Sequence, residues 1–468
     1  MKLTKKSFNL LIFTIYIISF FTSASSYFSI SLIDNIRRNF AVILPGIFCI
    51  LLIYENRRNL KVLLKNKIPL ILYCLTIIWF LLSFIFGIKS GLESFKGFIN
   101  FSVLMKFILM IFNCHFSEEE NKKIKKHLFI SFLIVMILGV FQYVFKINLN
   151  TYNNAKYPGI FGRIHSTFFI ATLLDKYVVL MFPLITYELL KDKDNKFYKI
   201  LLIFAMLGIT FTFSRSGGLI FLVMSFIFFI VTLIKKQFKN SILMVVLICI
   251  MILIPGAKYS VQSALDYAYD TVHMPKVLRL DFVKLLSNGK EPIIKDVEAG
   301  KCADLDCVGD EEGSKFFRDY YKSIGMEFLK ENPVFGIGVG NYYYLYINQN
   351  AKDYLQNDSI ISDEYPYMYP HNGFIQLMAE TGYIGLVLFI SYILSFAVLK
   401  LKKDDKDNLN FYVILMILFG LSIANITECM FHSKQIIYLF AIMYGVYSNL
   451  QNEEKVVNSK KKRLKKQN

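Results

Sequence analysis

The feature that most constrains this chain is a succession of about twelve apolar runs, each near the roughly 20 residues a helix needs to cross a bilayer. They are centred on 8–28, 40–54, 69–88, 97–114, 128–145, 168–190, 197–213, 217–234, 242–255, 373–399, 411–427 and 435–450. Composition agrees, with 55% of 468 residues hydrophobic, 45 of them Phe and 29 Tyr. An average soluble domain is about 45–50% apolar with glycine included. The expected fold is therefore an all-α polytopic membrane protein with about 12 transmembrane helices.

The net charge of +18 is a topology signal and not a nucleic-acid footprint. Lys and Arg fall in alternate short loops: "ENRRNLKVLLKNK", "NKKIKK", "LKDKDNK", "KKQFKN", "LKKDDKDN" and the tail "KKKRLKK". With the N-terminus in the cytoplasm, about 30 of the 53 basic residues lie inside and about nine in short outside loops, the positive-inside bias. Both termini are then cytoplasmic. The basic tail reads as an arm attracted to anionic lipid, with no nucleic-acid partner. The start, "MKLTKKSFNLLIFTIYIISFFTSASS", has the form of a secretory signal. The eleven further runs favour an uncleaved first helix instead.

The chain is asymmetric and shows no internal repeat. Residues 1–256 hold spans one to nine, 257–372 one large extracytoplasmic loop, 373–450 spans ten to twelve, and 451–468 the cytoplasmic tail. A loop of roughly 115 residues should have structure of its own. In "SKFFRDYYKSIGMEFLKENP", Phe317, Tyr320 or Tyr321, Ile324 and Phe328 recur at helical spacing before Asn332-Pro333 ends the run. The stretch "VLRLDFVKLLSNG" reads as a second, shorter helix. Cys49, Cys74, Cys114, Cys249 and Cys429 lie in or beside spans as small buried hydrophobes. Cys302 and Cys307 fall on the outer face, where a local disulfide is chemically permitted.

"NPVFGIGVGNYYYLY" suggests a phosphate-cradling loop, but a dinucleotide fingerprint needs a preceding strand and Gly-x-Gly-x-x-Gly spacing. Here a helix and a proline precede it, and it faces away from cytoplasmic nucleotides. A tight turn remains, built on Gly336, Gly338 and Gly340 and followed by Asn341. The acidic "DLDCVGDEEG" misses an EF-hand at Val308 and Lys315. Tyr342, Tyr343, Tyr344, Tyr365, Tyr367 and Tyr369 suit either sugar stacking or an interfacial belt.

"TFSRSGG", Arg318, "NPVFGIGVGNYYYLY" and "PHNGFIQLMAETGYIGLVLFI", with "GRIHSTFFIATLLDKYVVLMFPL" upstream, occur in an order and topology that resemble the O-antigen ligase and polysaccharide polymerase family of bacterial envelope glycosyltransferases. The resemblance runs from about residue 159 to the end. It implies a fold related to the integral-membrane (GT-C) glycosyltransferases and an enzyme at the outer face of the cytoplasmic membrane. That enzyme transfers a glycan from undecaprenyl diphosphate to an acceptor hydroxyl, with no metal and no cofactor. Three roles share the motifs: repeat-unit polymerase, which is favoured, O-antigen ligase, and protein glycosylation. The implied partners are the lipid-linked oligosaccharide, membrane lipid, a chain-length regulator and a flippase. A lipid-linked oligosaccharide transporter is the rival of another class. It would put charges deep in many spans, whereas those present are chiefly Lys106, Asp175 and Lys176.

The chemistry fits this resemblance. A departing diphosphate without a metal needs fixed cations, and arginine's planar fork suits phosphate oxygens. Arg215, Arg318 and Arg163 are the candidates, against a snorkelling role for the first and a solvated surface charge for the others. The acceptor hydroxyl must lose a proton, which a histidine can assist. His371 in "YPHNGF" matches the family as catalytic or acceptor-orienting, against a cap role. His165 and His432 are outside but lack motif support, and His115 and His127 lie on the cytoplasmic side. Asn372, Gly338 and Asn341 are supporting residues, and Glu380 either braces the site or kinks its helix.

Overall fold

A computed structural model describes residues 1–20, 31–58, 66–87, 92–145, 164, 166–168, 171–212, 214–253, 311–342, 345, 369–401 and 408–449. Among these residues there are α-helices and no β-strand, only one isolated bridge between Lys2 and His115. The helices are α1 (Lys5–Phe20), α2 (Ser31–Glu55), α3 (Lys67–Phe86), α4 (Leu92–Asn113), α5 (Glu118–Phe145), α6 (Ala171–Lys191) and α7 (Lys196–Thr212). They continue as α8 (Arg215–Ile234), α9 (Phe238–Leu253), α10 (Glu311–Glu331), α11 (Gly373–Leu401), α12 (Asn408–Thr427) and α13 (Lys434–Asn449).

Among the described residues, five segments are long and apolar enough to cross a membrane: Lys67–Phe86, Ser94–Asn113, Glu118–Phe145, Ser216–Ile234 and Gly373–Leu399. Phe40–Glu55, Phe238–Met251 and Phe411–Thr427 are apolar but shorter. On α3, Ile68, Ile71, Leu75, Ile78 and Ile85 recur at helical spacing on an exposed face. In water such a stripe would be a large uncovered apolar patch, whereas in lipid it is solvated. The chain is a membrane protein.

The buried centre is α6 and α13. From Leu174 to Tyr187 every residue of α6 is buried, and from Ile436 to Ala441 and Ile442 to Tyr444 so is α13. A helix apolar all round belongs inside other helices, and α6 packs against α7, α8, α12 and α13. The expectation that every span cysteine is buried needs correction. Cys49, Cys114 and Cys429 are buried, but Cys74 and Cys249 are exposed because they sit on outward faces of α3 and α9.

Short polar connections gather at the two ends of this bundle. At one, the amino group of Met1 donates to the Asn113 carbonyl at 2.8 Å, Lys125 pairs with Glu188 at 2.6 Å, and Gln237 Nε2 donates to the Leu190 carbonyl at 2.9 Å. At the other lie the last turn of α3, the starts of α6, α8 and α11, and the turn from α12 to α13. They are joined to one another by the contacts described next. The helix expected at "SKFFRDYYKSIGMEFLKENP" is α10. It buries Tyr321, Ile324, Phe328 and Leu329 and packs on α11. The expected helix at "VLRLDFVKLLSNG", the Cys302–Cys307 pair and the acidic 304–310 stretch lie outside the described residues.

Candidate active site

Asn372 caps α11. Its side-chain Oδ1 accepts from the backbone N–H of Phe374 at 3.0 Å and Ile375 at 3.1 Å, satisfying two of the donors a helix start leaves free. The residue before the cap, His371, is held at φ 44°, in the left-handed region that few side chains occupy. That conformation brings the imidazole to the α12–α13 turn, where Nδ1 lies 3.1 Å from Glu428 Oε2. The Gly373 N–H donates to the Glu428 carbonyl at 3.2 Å, so backbone and side chain bind the same residue.

Burial raises the Glu428 carboxyl, but the His371 imidazole, by charge and hydrogen bond, with Arg318 and Lys176, outweighs it and holds the group at about 2. Three elements thus direct basic groups toward the Glu428 carboxylate that follows α12: Lys176 from α6, Arg318 from α10 and His371 before α11. Arg318 is half-buried.

The glycine turn locks onto α11 where that helix breaks. Gly382 has φ 70° inside α11, and a Cβ there would collide with the Val334 carbonyl. The kink frees three helix carbonyls, and each finds a donor from another segment. The Ile337 N–H takes Ala379 O at 2.9 Å, the Gly338 N–H and Ser83 Oγ take Glu380 O at 3.0 and 2.9 Å, and Trp79 Nε1 takes Thr381 O at 2.9 Å. Tyr383 N–H closes the other side on Pro333 O at 3.1 Å. Asn341 is fully buried and holds the turn through Nδ2 to Ile337 O at 2.8 Å.

Glu380 braces this turn, and the kink belongs to Gly382. Its Oε2 accepts from the Gly340 N–H at 2.9 Å and meets His432 Nε2 at 2.8 Å, while Gln376 Nε2 reaches Oε1 at 3.1 Å. Two reciprocal pairs therefore tie the start of α11 to the α12–α13 turn: His371 with Glu428, and Glu380 with His432.

Arg215 opens α8 directly after its cap, Ser214, whose hydroxyl accepts from the Gly217 N–H at 3.3 Å. The side chain of Arg215, and all of Arg163 and His165, lie outside the described residues. His127 meets Tyr16 at 2.8 Å within the α1–α5 packing, and the His115 N–H donates to Met1 O at 2.7 Å at the bundle end away from His371.

Residues 200–390 match the sequence model of a family described as O-antigen ligase. Over that segment the chain is similar to the O-antigen ligase family. No curated protein matches it. The matched segment holds Arg215, Arg318, the glycine turn, His371, Asn372 and Glu380, while Lys176 precedes it and Glu428 and His432 follow it. Glu428 escaped the motif reading because "NITECMFHSK" matches nothing by itself. A usable signal was present: a carboxylate and a histidine four residues apart, in a six-residue turn between two helices.

Proposed function

We propose that this protein is a glycosyltransferase that polymerises undecaprenyl-diphosphate-linked oligosaccharide repeat units at the outer face of the cytoplasmic membrane. The observation that carries it is the His371–Glu428 pair within electrostatic reach of Arg318, in a chain whose residues 200–390 match the O-antigen ligase family model. About twelve crossings, with both termini in the cytoplasm, put that end of the bundle outside. Residues 257–372 then form the large outer loop.

In the reaction, the acceptor hydroxyl oxygen attacks the anomeric carbon of the donor glycan. The bond from that carbon to the phosphate oxygen breaks, and its electron pair leaves with the lipid diphosphate. His371 takes the hydroxyl proton. With Nδ1–H donated to Glu428, Nε2 keeps the lone pair for that proton, and the carboxylate stabilises the imidazolium that results. Arg215, Arg318 and Arg163 meet the charge that grows on the diphosphate. The glycine turn, fixed by Glu380 and Asn341, sets α10 and therefore Arg318 against the start of α11. The polymerase works with a flippase that delivers the repeat unit and a chain-length regulator.

His371→Ala, Arg215→Ala and Arg318→Ala, each expressed in a strain lacking the gene, test this on a gel of surface polysaccharide. Loss of the long-chain ladder with single repeat units still exported is the expected result. The family description favours a second reading, ligase, which predicts instead that long chains accumulate on the carrier lipid. A normal ladder in all three variants would sink the site assignment.

A further inference from the structure

Asp175 and Lys176 have no role in the reaction just described, yet both are wholly buried in the central helix of a membrane bundle. Charges in such a place are costly to desolvate, and their mutual attraction repays that cost only with good geometry. The pair sits one turn into α6, where its polar partners lie at the start of α8. Lys176 Nζ lies 3.1 Å from Asp175 Oδ1 and donates to Ser216 Oγ at 2.7 Å. The Ser214 side chain interacts with the Asp175 carboxylate. A Cβ on Gly217 would lie 2.6 Å from Asp175 Cβ and Oδ2, so α8 meets the carboxylate with no side chain between.

Ser214 and Ser216 flank Arg215. We propose that Asp175 and Lys176 are positioning residues for Arg215: they hold the serine side chains on both sides of it and so fix the first turn of α8, from which Arg215 meets a diphosphate. Lys176 has a second influence, since its charge also reaches Glu428, the partner of His371. The pair thus holds the first turn of α8 from a buried helix whose lysine also acts electrostatically on Glu428. This inference rests on the reading that Arg215 binds the donor diphosphate.

The test measures binding of undecaprenyl diphosphate to the full-length chain in nanodiscs. Arg215→Ala is expected to weaken binding about ten-fold. Asp175→Asn combined with Lys176→Met removes both charges and leaves no buried ion unpaired. It should weaken binding about as much, and should add less than about two-fold when built onto Arg215→Ala, because groups that act through one another are not additive. Ser216→Ala, which leaves the ion pair in place, should weaken binding several-fold at an unchanged melting temperature. Wild-type affinity in the combined Asp175 and Lys176 variant, or a full further ten-fold loss on top of Arg215→Ala, would overturn the positioning role while leaving Arg215 as a diphosphate ligand. Wild-type affinity in Arg215→Ala would overturn the diphosphate reading itself, and the positioning role with it.

Discussion

At the scale of single residues the proposed site turns on Glu428, which no motif announced. His371 and Arg318 could be put forward from the sequence because a family-like pattern surrounds each. Their partner was not, since a carboxylate becomes informative only when folding brings residues 371 and 428 to 3.1 Å. Glu428→Gln keeps the shape and removes the charge that stabilises an imidazolium. Turnover should fall roughly 10- to 100-fold, read as the rate of repeat-unit incorporation, with donor affinity changed far less. A pH dependence follows from the depressed carboxyl. A group ionised more easily in the folded state stabilises it above its ordinary value near 4.5 and ceases to as pH falls through about 2. The melting temperature of the wild type should therefore exceed that of Glu428→Gln at pH 6, and the gap should close as the pH drops from about 5 toward about 2. A gap that stays constant over that range would show that the carboxylate is not held ionised by its neighbours.

At the scale of elements, periodicity located α10, and the proline after it fixed its end. The glycine turn was legible as a tight turn but not as a clamp, because sequence spacing cannot show that the carbonyls released at Gly382 are taken by the N–H groups of Ile337 and Gly338. Glu380 shows the same limit: bracing and kinking were equally open from the sequence. The fold separates them by assigning the kink to Gly382 and the side chain to Gly340 and His432. At Gly338, φ is 100°, and a Cβ would sit 2.6 Å from Asn341 Nδ2 and 2.9 Å from Ser94 Oγ. Gly338→Ala should cost about 1–3 kcal/mol from backbone strain alone, seen as a lower melting temperature in detergent together with reduced polymer. Gly218 offers the contrast, since a Cβ there meets nothing within 4 Å and the position is helical. Gly218→Ala should raise stability by up to about 1 kcal/mol. Equal effects at the two positions would mean that the turn is not held in its left-handed conformation.

At the scale of the whole molecule, the apolar runs were strong enough to call for a helical membrane bundle, and five of them have the length and hydropathy of spans. The central helix α6 counts among those apolar runs despite its charges. α6 carries Asp175, Lys176, Glu188 and Lys191 within its 21 residues, so hydropathy scores it low. Those charges are instead absorbed by partners at its two ends: Ser216 at one and Lys125 at the other. This arrangement makes the topology testable without reference to the reaction. If basic loops face the cytoplasm, the α6–α7 turn and the exposed face of α10 lie on opposite sides of the membrane. In a cysteine-free background, Asp319→Cys on α10 should react with a membrane-impermeant maleimide in intact spheroplasts, because Asp319 is exposed and pairs only locally, with Lys322 at 3.3 Å. Lys193→Cys in the exposed α6–α7 turn should react only after the membrane is opened. Labelling of both in intact spheroplasts would break the alternation on which the outer placement of Arg215, Arg318 and His371 depends. The reversed pattern would put the site in the cytoplasm, where nucleotide-linked sugars are at hand and a lipid-diphosphate donor is no longer required.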